Sequence, residues 1–169
     1  MRRETISVGS GCVVCLAVLA LASALPEAWY DAVFCRFPAR LAAAYFHAGL
    51  DASSFVLGNG RVVAVTRECG GSGFFALICG VLTWHAVRRD VTSLLPLGLL
   101  AAWCFTMAIN AMRVVVTVWS RVFAENLLPE RFFGAVHLVS GVLVFFPALV
   151  LLWLLCVRHD LSATSRHAR

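Results

Sequence analysis

The sequence predicts an all-α integral membrane protein with about four transmembrane helices. Of its 169 residues, 61% are hydrophobic and only 14% are charged, and the mean hydropathy is +0.87. Soluble domains are nearer to ~45–50% apolar and ~25% charged, so this composition excludes an ordinary water-soluble fold. The apolar residues also cluster into runs close to the roughly 20 residues that a bilayer-spanning helix needs. The lipid bilayer is therefore the expected environment of the chain.

Four apolar runs define the predicted spans, at residues 8–25, 73–88, 93–119 and 132–157. The first run has a basic start and ends in Ala22-Ser23-Ala24, which resembles a signal-peptide cleavage site. An uncleaved anchor is preferred, because the apolar run is long and three more spans follow. We therefore treat residues 1–169 as one polytopic membrane domain.

The segment between the first two spans, residues 26–71, is predicted to be amphipathic and irregular. Residues 40–49 have the pattern of a short amphipathic helix at the membrane interface. Asn59-Gly60 indicates a turn, and residues 62–65 form a short extended run leading to Cys69. This segment is expected on the outer side of the membrane.

The charge pattern predicts the orientation of the chain. All 14 basic residues are arginines, and they are scattered between the apolar runs, so nucleic acid is not an expected partner. The short basic loop Arg88-Arg89, the basic amino terminus and the arginines of the tail at residues 158–169 all favour the inner side. The protein is therefore expected to cross the cell (inner or plasma) membrane several times, with Cys69 facing outwards.

Three polar residues on separate segments fall at one predicted depth in the membrane. Cys69 precedes the second span at its outer end. Arg113 lies 19 residues after Leu94, at about 28 Å along a helix, close to the outer edge of a roughly 30 Å hydrocarbon core. His137 lies five residues into the fourth span, about 7–8 Å below the outer surface. We expect the three side chains to surround one outer cavity.

Arg113 is the most unusual of the three, because an arginine inside an apolar helix is costly and usually functional. Asn110 is three residues earlier, so it shares a helix face with Arg113 and could orient the guanidinium. A structural alternative is that Arg113 extends to the outer interface beside Trp119 and Arg121. His137 could likewise be a hydrogen-bonding residue between helices.

Cys69 has the surroundings of a nucleophile. It stands just before a helix, whose N-terminal partial positive charge stabilises a thiolate. Gly70 and Gly71 allow backbone N–H groups to approach a substrate carbonyl closely, and His137 could act as general base and acid. The carboxylate of Glu68 would destabilise a thiolate on Cys69 unless its side chain points away. We therefore regard Glu68 as a local modulator of the cysteine. A structural thiol at a helix start is the alternative interpretation of Cys69.

The combination of motifs resembles the exosortase/archaeosortase family of multi-pass membrane cysteine transpeptidases. The family pattern is a cysteine followed closely by glycine, an Asn-x-x-Arg in a later helix and a histidine in a helix after that. Here Cys69-Gly70-Gly71, Asn110-Ala-Met-Arg113 and His137 occur in this order, and the resemblance covers residues 62–145. Family members often have Cys-Ser-Gly or Cys-Thr-Gly and are longer, so this chain resembles a short, minimal variant.

The resemblance implies an enzyme that cleaves a carboxy-terminal sorting signal of exported proteins, namely a short motif, a transmembrane helix and a basic cluster. Cys69 would attack the scissile carbonyl and form a thioester, His137 would transfer the proton, and Arg113 would stabilise the tetrahedral intermediate or position the substrate. No metal or cofactor is implied. The partners would be membrane-anchored substrate proteins, and the sequence does not specify the oligomeric state.

Two other functions are compatible with the sequence. Cys12-x-x-Cys15 in the first span is typical of quinone-linked membrane thiol-disulfide oxidoreductases, although no second cysteine pair occupies the outer loops. A non-enzymatic membrane scaffold is the third possibility, and it would make the common depth of the three polar residues a coincidence. His47, in the outer segment, is a weaker candidate for the site.

Overall fold

The structure, a computed structural model, describes residues 2–125, 127 and 129–167, with side chains described from residue 8 to 158 except at 126, 128 and 130. Its α-helices are α1 (Arg2–Ala24), α2 (Glu27–Tyr30), α3 (Arg36–Tyr45), α4 (Ser72–Arg89), α5 (Leu95–Glu125) and α6 (Phe133–His167). Its strands are β1 (Gly49–Asp51), β2 (Ser54–Val56) and β3 (Val62–Ala64). Single helical turns lie at Asp31–Cys35 (π) and at Arg67–Cys69, Thr92–Leu94 and Glu130–Phe132 (3₁₀).

Three segments of the described chain are long and apolar enough to cross a membrane: Arg67–Arg89, Thr92–Glu125 and Phe133–Arg158. The apolar part of α1, Val8–Ala24, is a shorter helix of the same character. The predicted all-α integral membrane fold is confirmed in this form, with three long apolar helices and one shorter one. The chain is therefore a multi-pass membrane protein.

The last two helices extend further than the apolar runs that predicted them. α5 continues beyond residue 119 to Glu125, because the polar residues there support the helix instead of ending it. Arg121 lies 3.4 Å from Glu125 one turn later, and Arg61 of the outer segment lies 2.7 Å from the same carboxylate. α6 likewise runs on into the predicted inner tail.

α4 lies at the centre of the bundle, in contact with α1, α5 and α6. α1 packs against it at near backbone contact, because glycines face each other at the crossing. A Cβ atom on Gly11 would lie 2.7 Å from the carbonyl oxygen of Gly80. Small residues of this kind let membrane helices approach closely. Elsewhere on α4, Phe74 stacks on Phe145 of α6, with ring centroids 4.5 Å apart.

The predicted amphipathic helix of the outer segment is present as α3, which begins and ends four residues earlier than expected. It ends at Tyr45 because the chain then turns through His47, whose φ is +51°. Its buried stripe packs on α5 and consists of Pro38, Ala39, Ala42 and Ala43. These small residues let the segment between α1 and α4 pack closely against α5.

A three-stranded antiparallel sheet in the order β1-β2-β3 completes the outer segment. The sequence predicted only the third strand and the turn at Asn59-Gly60, where Gly60 adopts φ +80°. Strands of three residues are too short to show an alternating pattern, so β1 and β2 were missed. Phe55 in β2 is fully buried and stacks on Phe46, which anchors the sheet to the end of α3.

The glycine contact between α1 and α4 generates a stability prediction. We expect Gly11→Val to lower the free energy of unfolding by about 1–3 kcal/mol, because the new side chain would overpack against the backbone of Gly80. Thermal unfolding in detergent micelles measures the effect. Gly9→Val is the matched control, since a Cβ at Gly9 meets nothing within 4 Å on the same helix. Equal losses for both variants would contradict the close packing.

Candidate functional site

Cys69 is the last residue of a 3₁₀ turn that leads directly into α4. The chain enters the helix through Gly71, whose φ of +76° places it in the left-handed region that favours glycine. A Cβ on Gly71 would lie 3.1 Å from Cγ of Asn110, and one on Gly70 would lie 2.6 Å from the hydroxyl of Tyr30. Both glycines therefore serve close packing around the cysteine.

The structure brings Cys69, Arg113 and His137 into contact. Sγ of Cys69 lies 3.6 Å from Nε2 of His137. Nη2 of Arg113 lies 2.8 Å from the same nitrogen. Three elements, the turn before α4, the C-terminal half of α5 and the first turns of α6, thus place a thiol, a guanidinium and an imidazole at one point.

The contact with Arg113 determines the protonation state and tautomer of the His137 imidazole. A guanidinium has only hydrogen-bond donors, so Nε2 of His137 must accept, and the ring proton is assigned to Nδ1. The thiol of Cys69 approaches the same lone pair. His137 is therefore held as a neutral base whose acceptor nitrogen faces the thiol.

Arg113 is buried, with 7% of its surface exposed, so its side chain is held inside the bundle and does not extend to the protein surface. Its guanidinium lies over the ring of Phe145, at 5.3 Å from the centroid. A Cβ on Gly141 would approach Nε of Arg113 to 3.2 Å, so this glycine provides the space for the side chain. His137, Gly141 and Phe145 follow one another at four-residue spacing and form the stripe of α6 that receives the arginine. That spacing is the sequence signal that could have identified Gly141 and Phe145.

Asn110 and Arg113 both bind the main chain of the nucleophile. Nδ2 of Asn110 donates to the carbonyl oxygen of Cys69 at 2.7 Å, and Nη1 of Arg113 approaches that oxygen at 3.4 Å. Asn110 is fully buried, and its Oδ1 has no hydrogen-bond partner among the described atoms. The two residues that share a face of α5 therefore fix the position of Cys69.

Two residues that sequence reasoning missed hold the turn from the other side. The hydroxyl of Tyr30 donates to the carbonyl oxygen of Arg67 at 3.1 Å and lies 2.8 Å from Oγ of Ser72. The guanidinium of Arg67 stacks on the Tyr30 ring, at 4.6 Å from its centroid, and donates to the carbonyls of Ala22 and Ser23 at the end of α1. No motif in the sequence indicates this contact, because α1 and the turn are more than 40 residues apart.

Two cavities meet at the Arg113–His137 contact. One, of about 240 Å³, is lined by Cys69, Arg113, His137, residues 62–65 and the adjoining face of α5. The second, of about 620 Å³, is lined by Arg113, His137, Glu68 and an apolar stripe of α6 that includes Leu138, Val142 and Phe146. These three apolar side chains are 57–69% exposed, which places the second cavity on the lipid-facing side. The site therefore lies between a pocket that contains three arginines and an apolar groove.

The other candidate residues lie outside this arrangement. Cys12 and Cys15 line an apolar groove with Trp84 and Trp153, towards the other end of α4. His47 lines neither of the two cavities. Burial, with the nearby carboxylate of Asp31, raises the pKa of Cys35 to about 12. Within the described residues, no group of three His, Cys, Asp or Glu side chains could hold a metal ion.

Comparison with known proteins agrees with the motifs. No curated protein and no solved structure matches the chain significantly. A family model described as transmembrane exosortase matches residues 12–154, which include every residue of the site. The chain therefore belongs to the transmembrane exosortase family.

Proposed function

We propose that this protein is a membrane-embedded cysteine transpeptidase or peptidase that cleaves a carboxy-terminal sorting signal of exported proteins through a thioester on Cys69. The observation that carries the proposal is the contact of Cys69 and Arg113 with one nitrogen of His137, at 3.6 and 2.8 Å. The family assignment supports the same chemistry. A nucleophile within reach of an oriented base is the arrangement that covalent catalysis requires.

In the first step, the thiol of Cys69 transfers its proton to Nε2 of His137, and the thiolate attacks the carbonyl carbon of the scissile peptide bond. Nε2 of His137 can accept this proton once its hydrogen bond with Arg113 has broken. The resulting imidazolium faces the permanent charge of Arg113, and this repulsion favours passing the proton on. The proton goes to the leaving amine as the C–N bond breaks, leaving a thioester on Cys69.

Arg113, released from His137, is close enough to stabilise the negative oxygen of the tetrahedral intermediate. The backbone N–H groups of Cys69 and Gly70 already donate to Thr66 and Arg67, at 2.8 and 3.3 Å. The guanidinium and the free N–H groups of the first turn of α4 therefore supply the oxyanion donors in this proposal.

Release requires a second nucleophile. An amine, a hydroxyl or water attacks the thioester carbonyl, His137 takes its proton, and the sulfur leaves as the thiolate, which is then reprotonated. The lipid-facing groove along α6 suits the apolar helix of a sorting signal, and the cavity beside Cys69 suits the motif that precedes it. Substrate proteins anchored in the bilayer are accordingly the proposed partners, and the outer face of the cell membrane is the proposed location of the site.

The thiol-disulfide alternative has less support. Cys12 and Cys15 line an apolar groove, together with Trp84 and Trp153, and neither lines the cavities at Arg113 and His137. A non-enzymatic scaffold gives no reason for a buried arginine to contact both the cysteine turn and a histidine. The geometry therefore favours peptide-bond chemistry.

Substitution of the three contacting residues tests the proposal. The substrate is a host protein that ends in a motif, an apolar helix and an arginine cluster. For its cleavage, we expect Cys69→Ala and His137→Ala to lower kcat/KM by at least about 10³-fold, because each removes an essential reactant. Arg113→Lys is expected to cost about 10²–10³-fold, because an ammonium cannot reproduce the forked donors. Cleavage of the purified substrate in proteoliposomes is the measurement.

Cys12→Ala and Cys15→Ala are the controls, and both should retain wild-type cleavage. Asn110→Ala should reduce the rate through the position of Cys69, without removing a reacting group. Full cleavage by Cys69→Ala would contradict the proposal, and loss of activity only in the Cys12 and Cys15 variants would favour the redox function.

The orientation of the site generates a labelling prediction. We expect a membrane-impermeant methanethiosulfonate carrying a sulfonate to label Cys69 on intact cells or spheroplasts, because the cavity contains arginines and, in the proposed orientation, is reached from outside the membrane. Cys35 should stay unlabelled at pH 8, since its pKa of about 12 keeps it a neutral, unreactive thiol. Mass spectrometry of the labelled peptide is the measurement, with Cys69→Ala as control. Labelling of Cys69 only after membrane disruption would place the site on the inner side.

A further inference from the structure

β3 is an edge strand of the small outer sheet. It pairs with β2 on one side, and within the described residues the sheet order β1-β2-β3 leaves its other side without a strand. An unpaired edge presents a row of backbone donors and acceptors to any extended chain that reaches it. The direction in which this edge points determines what can bind to it.

The hydrogen bonds beside β3 establish which backbone groups face outwards. The N–H of Val65 donates to Ser53, and the carbonyl of Arg61 accepts from Leu57, so the odd-numbered residues face β2. In an antiparallel ladder, adjacent residues direct their N–H and C=O groups to opposite sides. The N–H and C=O groups of Val62 and Ala64 therefore point away from β2.

The cavity beside Cys69 lies along this free edge. Its lining includes four consecutive residues, 62–65, together with Cys69, His137 and the facing side of α5. A cavity lying against one face of a strand would contact alternate residues, so contact with four in a row indicates that it follows the edge. The free backbone groups of β3 and the thiol of Cys69 thus open into the same space.

The edge is rigidly tied to the rest of the site. Phe55, paired with Val63, is fully buried and holds the sheet against the core. Val65 is also buried, and the sulfur of Cys35 lies 3.6 Å from the carbonyl oxygen of Thr66. The chain between β3 and Cys69 is therefore anchored at successive residues, so the strand keeps a fixed position relative to the nucleophile.

Resting on the function proposed above, we propose that β3 is the substrate-docking edge. The extended peptide segment that contains the scissile bond adds to the sheet as a fourth strand along β3, bonded to the backbone of Val62 and Ala64. This pairing aligns the peptide with Cys69 and His137. Affinity then comes mainly from main-chain hydrogen bonds, and specificity from side-chain pockets at alternate peptide residues.

Hydrogen exchange tests this pairing without catalysis. The probe is a membrane-anchored peptide containing the eight residues before the apolar helix of a host protein that wild-type enzyme cleaves. When it binds the Cys69→Ala variant in lipid nanodiscs, we expect amide exchange at both Val62 and Ala64 to slow at least about tenfold. Exchange at Val63 and Val65 should change little, because their N–H groups already face β2.

A second variant keeps the thiol and alters only the edge. Ala64→Pro removes one outward N–H at a site where an edge strand tolerates proline, and it should raise KM about five- to tenfold with little change in kcat. Ala64→Val keeps the N–H and is the matched control. Unchanged unfolding temperatures of both variants would exclude a folding defect.

The outcomes separate the two proposals. If wild-type enzyme cleaves the peptide while Val62 and Ala64 exchange as in the free protein, the pairing is wrong and the proposed function stands. If the two amides are protected but no thioester or cleavage product forms with wild-type enzyme, the pairing stands and the proposed function fails. Equal KM values for the proline and valine variants would also overturn the pairing.

Discussion

The positions of the cysteine turn, α5 and α6 relative to one another depend on the buried guanidinium of Arg113. It approaches the carbonyl of Cys69 with one nitrogen and His137 with another, and it rests on the ring of Phe145. An arginine at the centre of a membrane helix costs about 2.5–3.5 kcal/mol on insertion scales, and the buried Nε of Arg113 finds no partner among the described atoms. Such a cost is tolerated where the charge connects elements that otherwise have no reason to meet, here the cysteine turn, α5 and α6.

The contacts of Arg113 also explain why the residues around it and around Cys69 are small or polar. Gly141 leaves space for the arginine, Gly71 leaves space for Asn110, and Asn110 holds the carbonyl of Cys69. On the other side of the turn, Arg67 ties it to the end of α1 through backbone carbonyls. The nucleophile is thus held from both sides by contacts with the backbone of its turn. Gly70 belongs to the same packing, since a Cβ there would lie 2.6 Å from the hydroxyl of Tyr30. This gives one reason why this chain has Cys-Gly-Gly where family members often have Cys-Ser-Gly or Cys-Thr-Gly.

The sequence predicted the membrane fold and the meeting of Cys69, Arg113 and His137, because helix geometry converts residue spacing directly into depth. The outer segment was less predictable. Phe55, Tyr30 and Arg67 act through contacts between distant segments, and no local periodicity indicates such contacts. The end of α5 was missed for a related reason, because its last turns are supported by Arg61, which lies 64 residues away in sequence.

The most direct test of the central claim is to trap the covalent intermediate. Wild-type protein mixed with a membrane-anchored substrate and quenched in acid should show, by intact-mass and peptide mass spectrometry, an acyl adduct on Cys69 that hydroxylamine removes. The adduct should be absent from Cys69→Ala and should not form with His137→Ala. Substrate cleavage without any adduct on Cys69, or with an adduct on another cysteine, would contradict the account.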